Sequence, residues 1–280
     1  MSVRLIAKSI WSNPGNRGQR LRRSAMALLW QVTKRVAPKP KIIRLTNGRQ
    51  FIAHPDCVIS SALIYSEWPE FHEFTFIRAQ LQQDDVLIDV GANVGHVGLL
   101  LSDIVRPADI VAFEPTPVTF ARLEQNWKLN GQELPKLYPH AVGDVENDVL
   151  IPNPTSPITV NKPIHDECEK SADLVAVRLM PLDAFRHHWS ERKIGLVKID
   201  VEGFEAGVFA GAADTLHFDR PRLIMFESLA GGVDPKIDEV LKEARYEVFQ
   251  LNESGQPVFD RCDSQNLFAI PSERRAEFHP

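Results

Sequence analysis

The sequence predicts an α/β fold, a mostly parallel seven-stranded sheet with helices on both faces, preceded by an N-terminal helix and a β-hairpin. Four stretches carry that prediction. Val86 to Val90 is a short apolar run of the kind that suits a strand buried on both sides. It breaks at Gly91, and a helix-like apolar stretch from Val97 to Leu101 follows. Ile110 to Phe113 is a second such run and ends in Glu114. Ile194 to Ile199 and Arg222 to Phe226 repeat the pattern and end in Asp200 and Glu227. In open α/β sheets ligands bind beyond the carboxyl ends of the strands, where these three acids collect.

The totals bound the class. With 280 residues, 44% of them apolar and 25% charged, the chain can bury a sizeable core as one large or two small domains. Cys57, Cys168 and Cys262 are odd in number and scattered, with no C-x-x-C pair. That argues against a disulfide framework or a zinc site and fits a reducing, cytoplasmic setting. No apolar run approaches a membrane span, and the first residues lack the apolar region of a signal peptide. The net charge of -5 hides an asymmetry. Residues 1–55 hold 12 Lys and Arg and no Asp or Glu, which leaves 20 basic and 37 acidic residues in the other 225, a balance of -17. An acidic body disfavours a nucleic-acid substrate.

Taken in order, residues 1–40 form a basic leader, 41–82 a hairpin and helical cap, and 83–272 the main domain, with an insertion at 145–181. In the leader, Leu21, Ala25, Leu28, Leu29, Val32 and Val36 recur at helical spacing, flanked by Arg20, Arg22, Arg23, Lys34 and Arg35. The favoured expectation is a helix packed on its own domain with a solvated basic face. The alternative is a helix on an anionic membrane surface or a partner protein. Asn47-Gly48 between Ile42–Leu45 and Phe51–Ala53 predicts a hairpin with both turn residues at positive φ. Residues 58–82 read as a helix rich in Phe, Trp and Glu, with its aromatics in the core and the segment placed to cover a site.

After Glu114, Pro115 and Pro117 end the strand, and Val118 to Asn130 reads as a helix stopped by Gly131. Lys136 to Val142 predicts a third strand, followed by Gly143 and Asp144, an acid placed to accept a hydrogen bond from an adenine amino group. Pro152, Pro154, Pro157 and Pro163 break the insertion, whose extended segments border the substrate site; Val175–Leu179 is a strand within it. Asp183 reads as the N-cap of a short helix. Lys198 and Asp200 share strand parity, so they point to one side, and burying both is costly unless they pair or touch a ligand. A helix at 236–245 and strands at Tyr246–Leu251 and Asn266–Ile270, one antiparallel, close the sheet.

The glycine turn and Glu114 point to a cofactor that carries a ribose. Glu114 follows Gly91 by 23 residues, near the spacing at which an acid grips ribose hydroxyls. NAD and S-adenosylmethionine both fit that. The dinucleotide fingerprint wants glycines at 93 and 96, where Asn93 and His96 stand. Asn93 suits a left-handed backbone, and the helix start after the turn offers free N–H groups to an anion.

Asp89-Val-Gly-Ala-Asn-Val-Gly95, Phe113-Glu114-Pro115, Ala141-Val-Gly-Asp144, Leu182-Asp183 and Lys198-Ile-Asp-Val-Glu-Gly203 followed by Glu205 resemble, in order and spacing, the FkbM-type methyltransferases over about residues 60–270. The resemblance implies a class I, Rossmann-like methyltransferase fold, S-adenosylmethionine as donor, and O-methylation of a sugar, glycan or natural-product hydroxyl. It implies cofactor contacts at Gly91, Asn93, Glu114 and Asp144, within motifs that also contain Asp89, Gly95 and Pro115. For catalysis, Asp200 is the favoured base or acceptor-orienting group and Glu202 the second candidate. Lys198 keeps Asp200 ionised, and His140 is a weaker base candidate. A variant has Asp200 and Glu227 holding Mg²⁺, as in catechol-type methyltransferases. The alternatives are a nicotinamide-dependent oxidoreductase on a similar sheet and a non-catalytic scaffold docked through the basic leader.

Overall fold

The computed structural model describes residues 3–152, 174–228 and 231–278. Two helices open the chain, α1 (Val3–Ser12) and α2 (Arg20–Val36). The hairpin β1 (Lys41–Arg44) and β2 (Gln50–Ala53) follows, then α3 (Val58–Tyr65) and α4 (Phe71–Gln80). The main sheet begins with β3 (Val86–Val90), α5 (His96–Leu101), β4 (Ile110–Phe113), α6 (Pro117–Lys128) and β5 (Lys136–Tyr138). Three strands build a small second sheet: β6 (His140–Val142), β7 (Asn147–Pro152) and β8 (Leu174–Met180). The chain then returns through β9 (Ile194–Ile199), α7 (Glu205–Ala210), β10 (Ile224–Glu227), α8 (Pro235–Glu243), β11 (Tyr246–Leu251), β12 (Pro257–Val258) and β13 (Asn266–Pro271).

The main sheet runs β12-β11-β13-β10-β9-β3-β4-β5. Strands β5, β4, β3, β9 and β10 are parallel, and β13 is antiparallel to both of its neighbours. The seven expected strands are present, and the two-residue β12 extends one edge. This is the mostly parallel, Rossmann-like arrangement expected, with antiparallel β13 near the edge. The central strands are wholly buried because each face of the sheet is covered. Leu87, Ala112, Leu196 and Met225 pack into one apolar layer with α3 to α6, and Ile88, Val111, Val197 and Ile224 into the other with α7 and α8. Order β9-β3-β4 puts the chain reversal beside β3, and the carboxyl ends of β3, β4, β9 and β10 open on one edge.

Several local expectations are corrected. The run Lys136–Val142 is not one strand. Tyr138 pairs with Phe113 in the main sheet and His140 pairs with Arg178 in the small one, because Pro139 between them has no N–H to continue a ladder. Residues 58–82 form two helices, broken around Pro69, with Glu70 in a left-handed conformation. Their aromatics are core: Phe76 packs on Phe249 and Phe268. In the hairpin only Gly48 takes positive φ. Asn47 instead donates from its side chain to the carbonyl of Leu99, 2.7 Å away, and so ties the hairpin to the end of α5. Asp183 does not cap its own turn, which Pro181 precedes without a side-chain bond. It accepts from the amides of Asp214 and Thr215.

The leader departs most from expectation. Helix α2 buries Ala27 and Trp30, while Leu21, Ala25, Leu28, Leu29, Val32 and Val36 are all exposed. Periodicity groups residues onto a face but does not say which face meets the domain. Trp30 decides it by donating its indole N–H to Ser61 of α3 at 3.1 Å. Of the insertion, residues 153–173, with Pro154, Pro157 and Pro163, lie outside the described residues. Among the described residues no helix is long and apolar enough to cross a membrane.

Candidate active site

The turn after β3 is built around two constraints. Gly91 sits at φ +77°, and a Cβ there would lie 1.9 Å from the carbonyl oxygen of Asp200, because the end of β9 crosses directly above it. The amide of Asp200 donates to the carbonyl of Val90 at 3.0 Å, which fixes that approach. Asn93 takes φ +50° as expected for its type. The amides of Gly91 and Ala92 both donate to the carbonyl of Phe113, so the turn is clamped to the end of β4. From below, buried Asn126 donates to the carbonyl of Val94 at 2.8 Å.

Glu114 belongs to the same unit. Its two oxygens accept from the amides of Asn93 (3.0 Å) and Thr116 (2.9 Å). Burial pushes its carboxyl up to about 7, with those amides opposing the rise. The Thr116 side chain bonds the same carboxylate, which still has acceptor capacity for a ligand hydroxyl. The side-chain oxygen of Asn93 is buried without a hydrogen-bond partner, as is Nδ1 of His96. Burial, reinforced by the charge of Lys198, holds His96 down to about 3, so its ring is neutral.

At the end of β9, Nζ of Lys198 lies 3.0 Å from Asp200, 3.9 Å from Asp89 and 3.4 Å from the carbonyl of Gly91. An isolated buried ammonium costs several kcal/mol. Burial works against this one, and the carboxylates of Asp200 and Asp89 outweigh it, so Lys198 stays charged and Asp200 is held below the usual carboxylate range. Asp89 is pushed by burial up to about 6, and neither of its oxygens has a hydrogen-bond partner. The chain then turns through Glu202 at φ +56° and Gly203 at φ +102°, a left-handed pair. Glu205 fixes that turn by accepting from the amides of Val201 and Gly203. Left-handed conformation at a non-glycine residue costs about 1 kcal/mol or more and is retained where it aims a side chain. Glu202 is pushed up to about 7 by partial burial and by the charges of Asp200 and Glu227. Asp200, Glu202 and Glu227 each offer an oxygen, all within 4.8 Å of one another.

These ends surround one cavity of about 450 Å³. Its floor carries Gly91, Asn93, Glu114, Lys198, Asp200 and Glu202, with Glu227 beside them. Its walls are apolar: Val58 and Ile59 from α3, and Val149, Ile151 and Leu179 from the small sheet. Pro115 and His140 also line it. Asp89 lies beneath the floor and Gly95 packs against Leu123, so neither is on the wall. Asp144 is exposed and is not on the wall either; its neighbours Val142 and Val145 are.

The Methyltransferase FkbM domain matches residues 89–249. The chain belongs to the FkbM methyltransferase family. A hexuronic acid methyltransferase, AglP, of Haloferax volcanii is 31% identical over 188 residues, which is 65% of this chain and 72% of that one. Methyltransferase sdnD of Sordaria araneosa is 28% identical, covering 68% and 83% of the two chains. The 31-O-demethyl-FK506 methyltransferase FkbM of Streptomyces tacrolimicus is 27% identical, covering 78% and 92%. Membership makes the chain a methyltransferase, and the expectations of an oxidoreductase or a non-catalytic scaffold give way to it.

The three strand-end acids expected at one edge do meet there. Sequence reasoning missed His96, which follows Gly95 directly and entered only as an absent glycine. Residues 58–82 and 145–181, expected to cover and border a site, do supply Val58, Ile59, Val149, Ile151 and Leu179 to the cavity, but nothing in the sequence singles out those side chains from core ones.

Proposed function

We propose that the protein is an S-adenosylmethionine-dependent O-methyltransferase acting on a hydroxyl of a sugar, glycan or natural-product acceptor. The observation that carries this is the convergence of the Gly91–Asn93 turn, Glu114 and the Asp200–Glu202–Glu227 acids on one cavity. The residues present fit the donor: a turn stripped of side-chain bulk, a buried carboxylate with spare acceptor capacity, and an unpartnered Asn93 oxygen. Glu114 would hold the ribose hydroxyls, and Gly91, Asn93 and the start of α5 the amino-acid end, with Asp89, Gly95 and Pro115 shaping the turn. Asp144 would reach an adenine only after moving from its exposed position.

When bound, the donor supplies an already activated methyl group, so the chain's own task is to align an acceptor and take a proton. Asp200, held ionised by Lys198, is a strong acceptor and a weak base. It orients the acceptor hydroxyl. Glu202, at about 7, is matched to remove a proton near neutral pH, and its Oε receives it. The apolar walls exclude water from that transfer. The names of two relatives, a hexuronic acid methyltransferase and a 31-O-demethyl-FK506 methyltransferase, support a hydroxyl-bearing small molecule as acceptor.

A second reading, metal assistance, is favoured by the close approach of the Asp200, Glu202 and Glu227 oxygens. Three carboxylates that repel one another fit a hard divalent cation, which would lower the pKa of an acceptor hydroxyl. Incubation with labelled donor and a pool of glycans and metabolites, followed by mass spectrometry, tests the proposal. A mass gain of one methyl on a hydroxyl is expected, and methylation confined to nitrogen or carbon would overturn it. Repeating the assay after EDTA treatment decides on the metal.

A further inference from the structure

Helix α2 is mounted with its apolar side outward. Leu21, Ala25, Leu28, Leu29, Val32 and Val36 follow the three- and four-residue steps of a single face, and all six are exposed. Leu21 and Val36 are each 78% exposed and Leu28 68%, values typical of surface lysines rather than leucines. The opposite face, which meets α3, buries Ala27 and Trp30 in the core and is tied down by polar bonds as well. Trp30 and Lys34 both donate to the Ser61 hydroxyl, and Arg23 donates to the carbonyl of Ile64. The inversion is therefore fixed by specific bonds. Solvent alone gives no reason to present such a stripe.

The charge around the stripe says what covers it. Arg22 and Arg35 border it on its two sides, both exposed, bonded to the neutral side chains of Gln19 and Gln31. No carboxylate occurs in the first 55 residues, against 12 Lys and Arg. On α1, Trp11 is 49% exposed with the Arg20 guanidinium over its ring, an aromatic and a cation held together at the same end of the molecule. A leucine and valine stripe bordered by arginines, with an exposed tryptophan beside it, matches the boundary between acyl chains and anionic headgroups. A second protein copy would bring the same positive charge to the contact.

We infer that α1 and α2 form a docking surface for an anionic lipid bilayer, with the α2 stripe lying in the headgroup region. One helix, α3, separates the surface from the cavity. Ser61, which receives Trp30 and Lys34, is on α3, and the same helix contributes Val58 and Ile59 to the cavity wall. A bilayer held by α2 lies one helix away from the site.

Co-sedimentation with vesicles tests this. Vesicles of phosphatidylcholine with 30 mol% phosphatidylglycerol, whose surface is negative, should carry the full-length protein down, and pure phosphatidylcholine vesicles should carry at least ten-fold less. The variant Leu28→Gln/Leu29→Gln/Val32→Gln changes exposed positions only. It should melt at the unaltered temperature and lose binding at least ten-fold. Arg22→Gln/Arg35→Gln should weaken binding several-fold and flatten its dependence on salt. Unaltered binding by the triple variant, or no binding of the unaltered protein to the anionic vesicles, overturns the inference. So does a stable dimer in sedimentation velocity that the triple variant abolishes.

Discussion

The floor and the walls of the cavity are made by different rules. The floor is polar and comes from the carboxyl ends of β3, β4, β9 and β10, where backbone bonds fix the Gly91 turn and Glu114 and an ion pair ties Lys198 to Asp200. The walls are apolar and come from α3 and the small sheet, whose side chains facing the cavity offer it shape rather than charge. A floor of this kind specifies one chemistry, since a displaced carboxylate or a filled glycine turn stops it. Walls of this kind specify an acceptor's shape, and shape tolerates exchange. On the proposed function, methyl donation belongs to the main sheet and acceptor choice to its additions.

Substitutions can break that contrast. The largest effect should come from Gly91→Ala. A Cβ at φ +77° and 1.9 Å from a backbone oxygen leaves no room for adjustment, so the variant should lose ~3 kcal/mol or more of stability and all turnover, read by chemical denaturation and methyl transfer. Asp200→Asn should lower kcat by ~10²–10⁴ while leaving affinity for S-adenosylhomocysteine within about three-fold, because the change removes an ionised acceptor and not the donor's contacts. Leu179→Ala, on the wall, should raise KM for the acceptor by about ten-fold and leave kcat nearly unaltered. An equal effect of Asp200→Asn and Leu179→Ala on kcat would erase the distinction between floor and wall.

The smallest effect sharpens the account of Glu202. Its folded pKa of about 7 stands above the ordinary value of 4.5, so the folded state binds the proton more tightly than the unfolded one. Its contribution to stability is present below about 4.5 and is lost as pH rises towards 7. Glu202→Gln should therefore melt about 1–2 °C higher than the unaltered protein at pH 8 and level with it at pH 4.5. The unaltered enzyme's kcat should rise with pH up to about 7 and then level off, since the base works deprotonated.

The same contrast sets what the amino-acid sequence disclosed. Buried parallel strands are written as continuous apolar runs, and the polar residue that ends each run is its floor contact. Glu114, Asp200 and Glu227 could thus be found without coordinates. Asn93 and Gly91 were readable through backbone preference. The wall segments were legible but their lining side chains were not, because Val58, Ile59 and Leu179 carry no mark that separates a lining side chain from a core one. Pro139 sits inside an apolar run and divides it between two sheets, which the run itself conceals. On α2 the periodicity named the right face and the packing placed it outward, through a Trp30–Ser61 bond between residues 31 positions apart.

The central claim is that Glu114 and the turn at Gly91–Asn93 hold the methyl donor. Titration calorimetry with S-adenosylhomocysteine, run on the unaltered protein and on Glu114→Gln, tests it most directly. The account predicts one site per chain in the unaltered protein and a ten- to hundred-fold weaker Kd in the variant, the scale expected for losing hydrogen bonds to a charged acceptor. No heat of binding with the unaltered protein, or an equal Kd for both proteins, would contradict it.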